Sequence, residues 1–475
     1  MNRSLLDAFS TTCIACVLIA CVVIAGVSTA TAQSDYVGRG SDADWRVAAQ
    51  KRIDRHRKAD LKITVQREYG TKVRNAKVTA KLQRHAFNFG TAVDPRFFLP
   101  TEKSYDARYE QTLKRAFHAA VFENHMKWRA WAGGFGPHFS QTVTLNGLDW
   151  LNNNEFDVRG HAMIWPRYNS VPDDVRALLD IPHPTDSERQ QLYDATFAQI
   201  NDIGSATKGK VSAWDVINEP RTSFDIEDML IGFTAPGQPA IASRTDLRKR
   251  WLNAAQTAAP DAMLVINDYA ILPGGDNPTK PRMDNFTILK ELVSAGAPVH
   301  AIGFQSHFKD LEFRPNGSRD VTGIPHVINL LDSYQREFGL PIQITEFDIQ
   351  SDDADLKADY TRDFLMATFS HPSVDSFTFW GFWVGKMSSP EGALFDNDFN
   401  ITPNGQAYLD LVQHEWRTEA VGGTNSDGIF VTRGFKGEYL VTVEHGGQTQ
   451  QVTGSLGDGE LELVVTMAAT AASQK

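Results

Sequence analysis

Residues 211–220 read VSAWDVINEP: a short run rich in Val, Ile and Ala that ends in an amide and a carboxylate. Seven further runs share this character, so candidate strands fall at 86–92, 119–122, 156–161, 211–217, 263–267, 301–305, 342–345 and 376–380. Between them lie stretches with helical spacing of apolar residues, at 105–118, 187–203, 245–258, 283–295, 327–338 and 356–368. Eight alternating β and α units predict a (β/α)8 TIM barrel over residues 85–416, an α/β fold in which chemistry sits at the C-terminal ends of the strands.

The flanks read differently. Residues 33–84 are a linker followed by two alternating segments, 61–68 (LKITVQRE) and 76–84 (AKVTAKLQR), separated by Gly70 and read as a β-hairpin. Residues 417–467 carry four short β runs, at 429–435, 438–446, 448–454 and 460–465, and 468–475 read as a disordered tail. Four strands in so short a stretch bury little surface. The hairpin and the C-terminal runs are therefore expected to combine into one small β-sandwich, with the barrel inserted between them. Two separate β extensions, each packed on the barrel, are the alternative. VRNAKV (73–78), DGIF (427–430) and GEYLV (437–441) resemble the carboxypeptidase-regulatory-like, transthyretin-type sandwich.

Of 475 residues, 42% are hydrophobic and 22% charged, which excludes a disordered chain. With 47 Lys+Arg against 58 Asp+Glu and a net charge of −11, no basic run suited to phosphates is present, and nucleic acid is excluded as a partner. The three cysteines, Cys13, Cys16 and Cys21, all fall in an apolar segment at 13–27 that precedes Ala30-Thr31-Ala32. This is the layout of a signal peptide over residues 1–32, cleaved near Ala32, leaving a secreted (extracellular or periplasmic) chain without cysteine. Lipid attachment at Cys21 is the rival reading, disfavoured because Val22, Val23 and Ile24 continue the apolar run. No later segment is long and apolar enough to cross a bilayer, and the mature chain is read as a monomer off the membrane.

Hydrolysing a glycosidic bond takes one carboxylic acid to protonate the leaving oxygen and a second carboxylate to attack the sugar or activate water. Glu219 follows the fourth strand and Glu346, in QITEFDI (343–349), follows the seventh. A single glutamate there is as readily an ordinary rim charge. Others on the same rim are Glu123, Asn124, Lys127 and Trp128 (VFENHMKW), His161 and Trp165 (RGHAMIW), and Asn218. Later strands add Asn267, Asp268 and Tyr269 (INDY), Gln305 and His307 (GFQSH), and Trp380 (FWGFW). Amides and charges bond hydroxyls while indole faces cover sugar rings, so this mix suits a polysaccharide.

In order and at barrel spacing, ENHMKW, RGHAMIW, WDVINEP, INDY, GFQSH, ITEFD and the strand-eight WG resemble glycoside hydrolase family 10, the retaining endo-β-1,4-xylanases. The resemblance implies Glu219 as acid/base and Glu346 as nucleophile. It also implies Glu123, Asn124, Lys127, His161, Trp165, Asn218, Gln305 and Trp380 as glycone subsites, with His307 and Asp348 around the nucleophile. Tyr269 is a further candidate for substrate contact. Asn218, His307 and Asp348 are expected to support the two carboxylates, and retention predicts carboxyl groups about 5–5.5 Å apart.

Departures are His125 where an acid is usual, Pro166 where a histidine is common, and no second aromatic near Met387 or Ser388. Trp383 is expected to substitute for that aromatic. Trp131, Phe135 and Phe139 read as core first and aglycone contacts second. No cofactor is implied, and no H-E-x-x-H or comparable ligand set for a metal. The competing functions are a retaining β-glucanase of the same clan and an inactive carbohydrate-binding barrel.

Overall fold

The computed structural model describes residues 35–273, 279–309 and 321–468. The leader at 1–32 and most of the tail at 468–475, for which expectations were set above, lie outside the described residues.

In chain order the strands are β1 (Lys58–Arg67), β2 (Lys77–His85), β3 (Asn88–Val93), β4 (Ala119–Phe122), β5 (Asp157–Ile164), β6 (Ala213–Asn218), β7 (Met263–Asp268), β8 (Ala301–Phe304), β9 (His307–Lys309), β10 (Ile342–Gln350), β11 (Val374–Phe379), β12 (Glu419–Gly423), β13 (Ile429–Phe435), β14 (Gly437–His445), β15 (Gln448–Leu456) and β16 (Leu461–Met467). Strands β3, β4, β5, β6, β7, β8, β10 and β11 pair in parallel in that order, and β11 pairs back onto β3, closing an eight-stranded barrel. Every residue of β4 and β6 is buried, which is why these strands read as near-continuous apolar runs rather than alternating ones.

The intervening helices carry local start and stop signals. The helix Asp186–Ala206 opens on a capping box in which Thr185 and Glu188 satisfy each other's main-chain N–H. Ser243 caps Arg244–Ala258, Asp353 caps Ala354–Ser370, and Gly339, at φ +62°, ends Ile324–Phe338 in the left-handed region.

Two expectations for the N-terminal flank need correction. Residues 61–68 and 76–84 do not form a hairpin. β1 lies between β13 and β16 in one sheet, whereas β2 lies between β12 and β14 in the other, whose order is β12-β2-β14-β15. The nine residues from 68 to 76 are long enough to cross between layers, and each strand has one apolar face to cover. Leu61, Ile63 and Val65 from β1 and Val78, Ala80 and Leu82 from β2 are all buried, as are Tyr439, Val441 and Val443 of β14. A two-stranded ribbon would leave those faces wet; two packed sheets do not. The flanking segments thus build one sandwich, to which β12 adds a strand.

The second correction concerns the linker. Asp44–His56 is a helix that buries Trp45, Ala49 and Ile53, spaced four residues apart on one face. It is fastened to the barrel helix Ala354–Ser370 by Arg46, whose Nη1 donates to Asp363 Oδ1 at 2.6 Å; the Tyr36 hydroxyl donates to Oδ2 of the same carboxylate at 2.7 Å.

Candidate active site

Four strand ends bring the carboxylates together. β6 ends at Asn218, and Glu219 turns out of the barrel at φ +54°, its N–H donating to the Asn267 carbonyl at 2.8 Å. A left-handed backbone at a non-glycine residue costs of order 1–3 kcal/mol and persists only where neighbours over-determine it. Here the next residue is fixed as well: the Pro220 carbonyl accepts from Arg248 Nη2 at 2.6 Å. Glu346 stays inside β10 and is buried, with a relative exposure of 4%.

A continuous hydrogen-bond chain joins the two. Gln305 Nε2 donates to Glu219 Oε1 at 3.2 Å and to Asn218 Oδ1 at 3.5 Å. Asn267 Nδ2 donates to Asn218 Oδ1 at 3.1 Å and to Glu346 Oε1 at 2.8 Å, and is itself oriented by the Thr345 hydroxyl at 2.7 Å. On the far side, His307 at the start of β9 places Nε2 3.2 Å from Glu346 Oε2 and Nδ1 3.0 Å from Asp348 Oδ2. β9 runs beside the extended end of β10, pairing His307 with Asp348, so the sheet itself sets that contact. His161 Nδ1 lies 2.9 Å from Asp215 Oδ2, which is also held by Arg159.

These surroundings push the two carboxyls in opposite directions. Burial would raise Glu346, but His161, the hydrogen bond and charge of His307, and Lys127 outweigh it and bring it down to about 2. For Glu219 burial prevails: it raises the carboxyl, the Glu346 charge adds to the rise, and Gln305, His161 and Arg167 offset only part of it. Burial would lower His307, yet Asp348 and Glu346 raise it to about 10, so the imidazole is a cation at neutral pH. The pair therefore comprises one carboxylate held ionised and one carboxyl inclined to keep its proton. That division suits acid and nucleophile.

His161, Asp215 and Glu346 bring ligand-type atoms within 4.8 Å of one another, a spacing a metal would accept. Arg159 and Lys127 already bring positive charge there, and the geometry is satisfied by hydrogen bonds.

Beside Glu219 runs a cleft of about 700 Å³, lined among others by Tyr269, Gln305, Trp380 and His307, the residue that bonds Glu346. A second lobe of about 290 Å³ is lined by Asn124, Lys127, Phe135 and Trp165, and Arg167 borders both. Lys127 Nζ donates to Asn124 Oδ1 at 3.0 Å and sits 5.6 Å from the Trp165 ring and 5.8 Å from that of Trp380. Glu123 accepts from Lys386 at 2.7 Å. Trp380 meets His161 edge-on, at 5.3 Å between ring centroids. The Tyr269 ring faces the Arg221 guanidinium at 4.5 Å.

Trp383 is the sequence-chosen residue that the structure sets apart. Its ring stacks on Phe399 at 4.9 Å, touches Phe97 and Tyr109 edge-on, and is not on the cleft lining. It fills the outer packing of the barrel because Phe97, Phe399 and Tyr109 offer it apolar surface there, and Ser388 and Ser389 face the cleft where an aromatic was sought. Trp131 is core, donating to Asp202 Oδ2 at 2.6 Å, and Phe139 packs on His125 at 4.6 Å. Asp215, Arg159 and Lys386 join the site without standing out among the motifs of the sequence. The first two carried a signal, being charged residues inside otherwise apolar strand runs. Lys386 carried none, since its partner is far away in the chain.

Glu219→Gln separates stability from activity. A carboxyl raised on folding is penalised once ionised: the native state binds more protons between the unfolded value of about 4.3 and the folded one, so stability falls as pH rises through that window. The amide is expected to stabilise the protein by about 0.5–2 kcal/mol above the window and to change nothing below pH ~4. Urea denaturation at pH 4 and pH 7.5 measures this; equal effects at both would show that burial does not penalise the Glu219 charge.

Comparison with known proteins places this arrangement. Residues 78–411 match the family model described as glycosyl hydrolase family 10. Among curated relatives, anti-sigma-I factor RsgI6 of Acetivibrio thermocellus is 29% identical over 84% of this chain and 46% of its own length. Endo-1,4-beta-xylanase 1 of Arabidopsis thaliana is 28% identical over 83% of this chain and 37% of its own. The chain thus spans less than half the length of these two relatives. Xylanase 10B from Thermotoga petrophila, solved with xylobiose, shares the fold at a TM-score of 0.53 and 23% identity, over 70% of this chain and 95% of that one.

Proposed function

From the premise that this chain belongs to glycosyl hydrolase family 10, we propose that it is a retaining endo-β-1,4-xylanase, with Glu219 as acid/base and Glu346 as nucleophile. The observation that carries this reading is the opposed tuning of the two carboxyls, one drawn down to about 2 and the other raised. In the first step Glu219 gives its proton to the glycosidic oxygen while a Glu346 oxygen bonds to the anomeric carbon and the leaving group departs. Forming that ester removes the charge on Glu346, so Glu219 loses the part of its rise that this charge added to burial and now takes a proton from water. The water oxygen then displaces Glu346.

The other groups serve these steps. Asn218 Nδ2 is buried and has no hydrogen-bond partner among the described residues, as suits a donor reserved for the sugar 2-hydroxyl. Glu123, Asn124, Lys127, His161, Trp165, Gln305 and Trp380 serve the glycone side, Tyr269 is a further substrate contact, and His307 with Asp348 keeps Glu346 charged and oriented. On this reading the substrate is a polysaccharide met outside the cell, after loss of residues 1–32; the support for export is the sequence pattern of that leader.

Reducing ends should be released from xylan in preference to mixed-linkage glucan and carboxymethylcellulose. Proton NMR of the first product should show the β-anomer. An α-anomer would remove Glu346 from the nucleophile role, and faster release from glucan would move the chain to the glucanase reading. Absence of turnover on all three polymers, with retained binding, would decide for a binding-only barrel.

A further inference from the structure

At the opposite end of the barrel from Glu219, where β2 and the segment before β12 meet the starts of β4 and β5, lies a cleft of about 340 Å³. Sites for small ligands run to ~300–1,000 Å³. Its lining brings together Arg84 and Arg417 from the sandwich side with Lys114 and Arg115 from the barrel side. Glu155 is the single acidic residue on that lining, and it is its main-chain carbonyl that Arg84 engages.

The guanidiniums are held without being neutralised. Arg84 also donates to the His118 carbonyl at 3.5 Å, and Arg417 donates to the carbonyls of Leu82 and Gln83. An arginine has five N–H donors, so each keeps some in reserve. Arg115 forms no side-chain hydrogen bond among the described residues and lies 5.8 Å from the Phe395 ring. None of the three pairs with a carboxylate among the described residues, whereas Arg46, Arg159 and Arg248 each do. Lys114 pairs outward with Glu110 at 2.8 Å.

Like charges gathered in one concavity repel, and where backbone carbonyls fix a guanidinium without cancelling its charge, as at Arg84 and Arg417, they leave a preorganised anion receptor. The chain as a whole is acidic, at −11, so a local excess of unpaired arginine is not a consequence of composition. We propose that this cleft binds an oxyanion, as a free inorganic ion or as the carboxylate of a sugar acid, and that the bound anion clamps the sandwich to the barrel. This site is independent of the reading of Glu219 and Glu346.

The test is thermal unfolding of the full chain titrated with sodium phosphate or with sodium glucuronate, each against sodium chloride at matched ionic strength. A saturable rise in Tm beyond chloride is expected. Arg115→Gln, which gives up no hydrogen bond seen in the fold, should raise the half-saturating concentration about tenfold or more while leaving polysaccharide hydrolysis unchanged. Arg84→Gln is the harsher variant because it also frees two carbonyls. Half-saturation at lower glucuronate than phosphate identifies the sugar acid as the source; the reverse identifies the inorganic ion. A Tm that follows ionic strength alone, or an Arg115→Gln protein that responds like the parent, overturns the proposal.

Discussion

Replacing Glu346 by Gln is expected to lower kcat on xylan by on the order of 10⁴- to 10⁶-fold, about 5–8 kcal/mol of barrier, and to leave the protein folded. The amide keeps an acceptor oxygen for Asn267, whose 2.8 Å bond orients the side chain, and turns its NH2 toward His307 Nε2, which can accept it once that imidazole has given up its proton. On the proposed reading, what disappears is the nucleophile itself. The same change should be visible without substrate. His307 is raised to about 10 by Asp348 and Glu346 acting against burial, and with one of the two charges gone its value must fall. NMR titration of the His307 imidazole reads that shift. Glu219→Ala should behave differently, losing about 10²- to 10⁴-fold on xylan but far less on an aryl glycoside whose leaving group needs no proton. Activity of Glu346→Gln within tenfold of the parent would reject its assignment, whatever Glu219→Ala shows.

The second large effect is expected at Arg248, which touches no substrate. Its Nε donates to Glu227 Oε1 at 2.6 Å and its Nη2 to Oε2 at 2.9 Å, with both residues buried, and Nη2 also holds the Pro220 carbonyl beside Glu219. Arg248→Met leaves the buried Glu227 charge largely stranded, with only Arg244 Nε at 3.5 Å to offset it, at a cost of up to about 3–5 kcal/mol. Adding Glu227→Leu removes that stranded charge and should restore most of the stability. It cannot restore the donor to Pro220. The double variant is therefore expected to fold well and still show kcat reduced about tenfold with KM little changed, because Glu219 is no longer held in its left-handed turn. Urea denaturation and initial-rate kinetics on the same preparations separate the two effects; full recovery of kcat in the double variant would confine Arg248 to stability.

Much of the barrel could be read without coordinates because its signals are local. Runs such as AAVF at 119–122 and MLVIN at 263–267 are apolar over the length of one strand, and the structure places β4 and β7 there within one residue. Glu219 and Glu346 stood out for a related reason. In a closed parallel barrel every strand's C-terminal end faces the same rim, so residues 127 positions apart can be assigned to one face from their place on their own strands.

The failures share the opposite cause. Residues 61–68 and 76–84 alternate as hairpin strands do, and alternation fixes which side chains face inward but not which strand lies alongside. Only the packing of β1 against β13 and β16, and of β2 against β12 and β14, decided that. Trp383 has the composition of a sugar platform; Phe399, sixteen positions on, claimed its face. Lys386 reaches Glu123 across 263 positions of chain, with no local mark on either residue.

What the amino-acid order determined alone was the succession of barrel strands and helices and the placing of Glu219 and Glu346 on one rim, since periodicity and strand ends are written within a few residues. Tertiary structure decided their chemistry. The shift of Glu346 to about 2 depends on His161, His307 and Lys127, and the rise of Glu219 on burial and on Glu346. Desolvation and Coulomb interactions act over a few ångströms of space, whatever the separation along the chain.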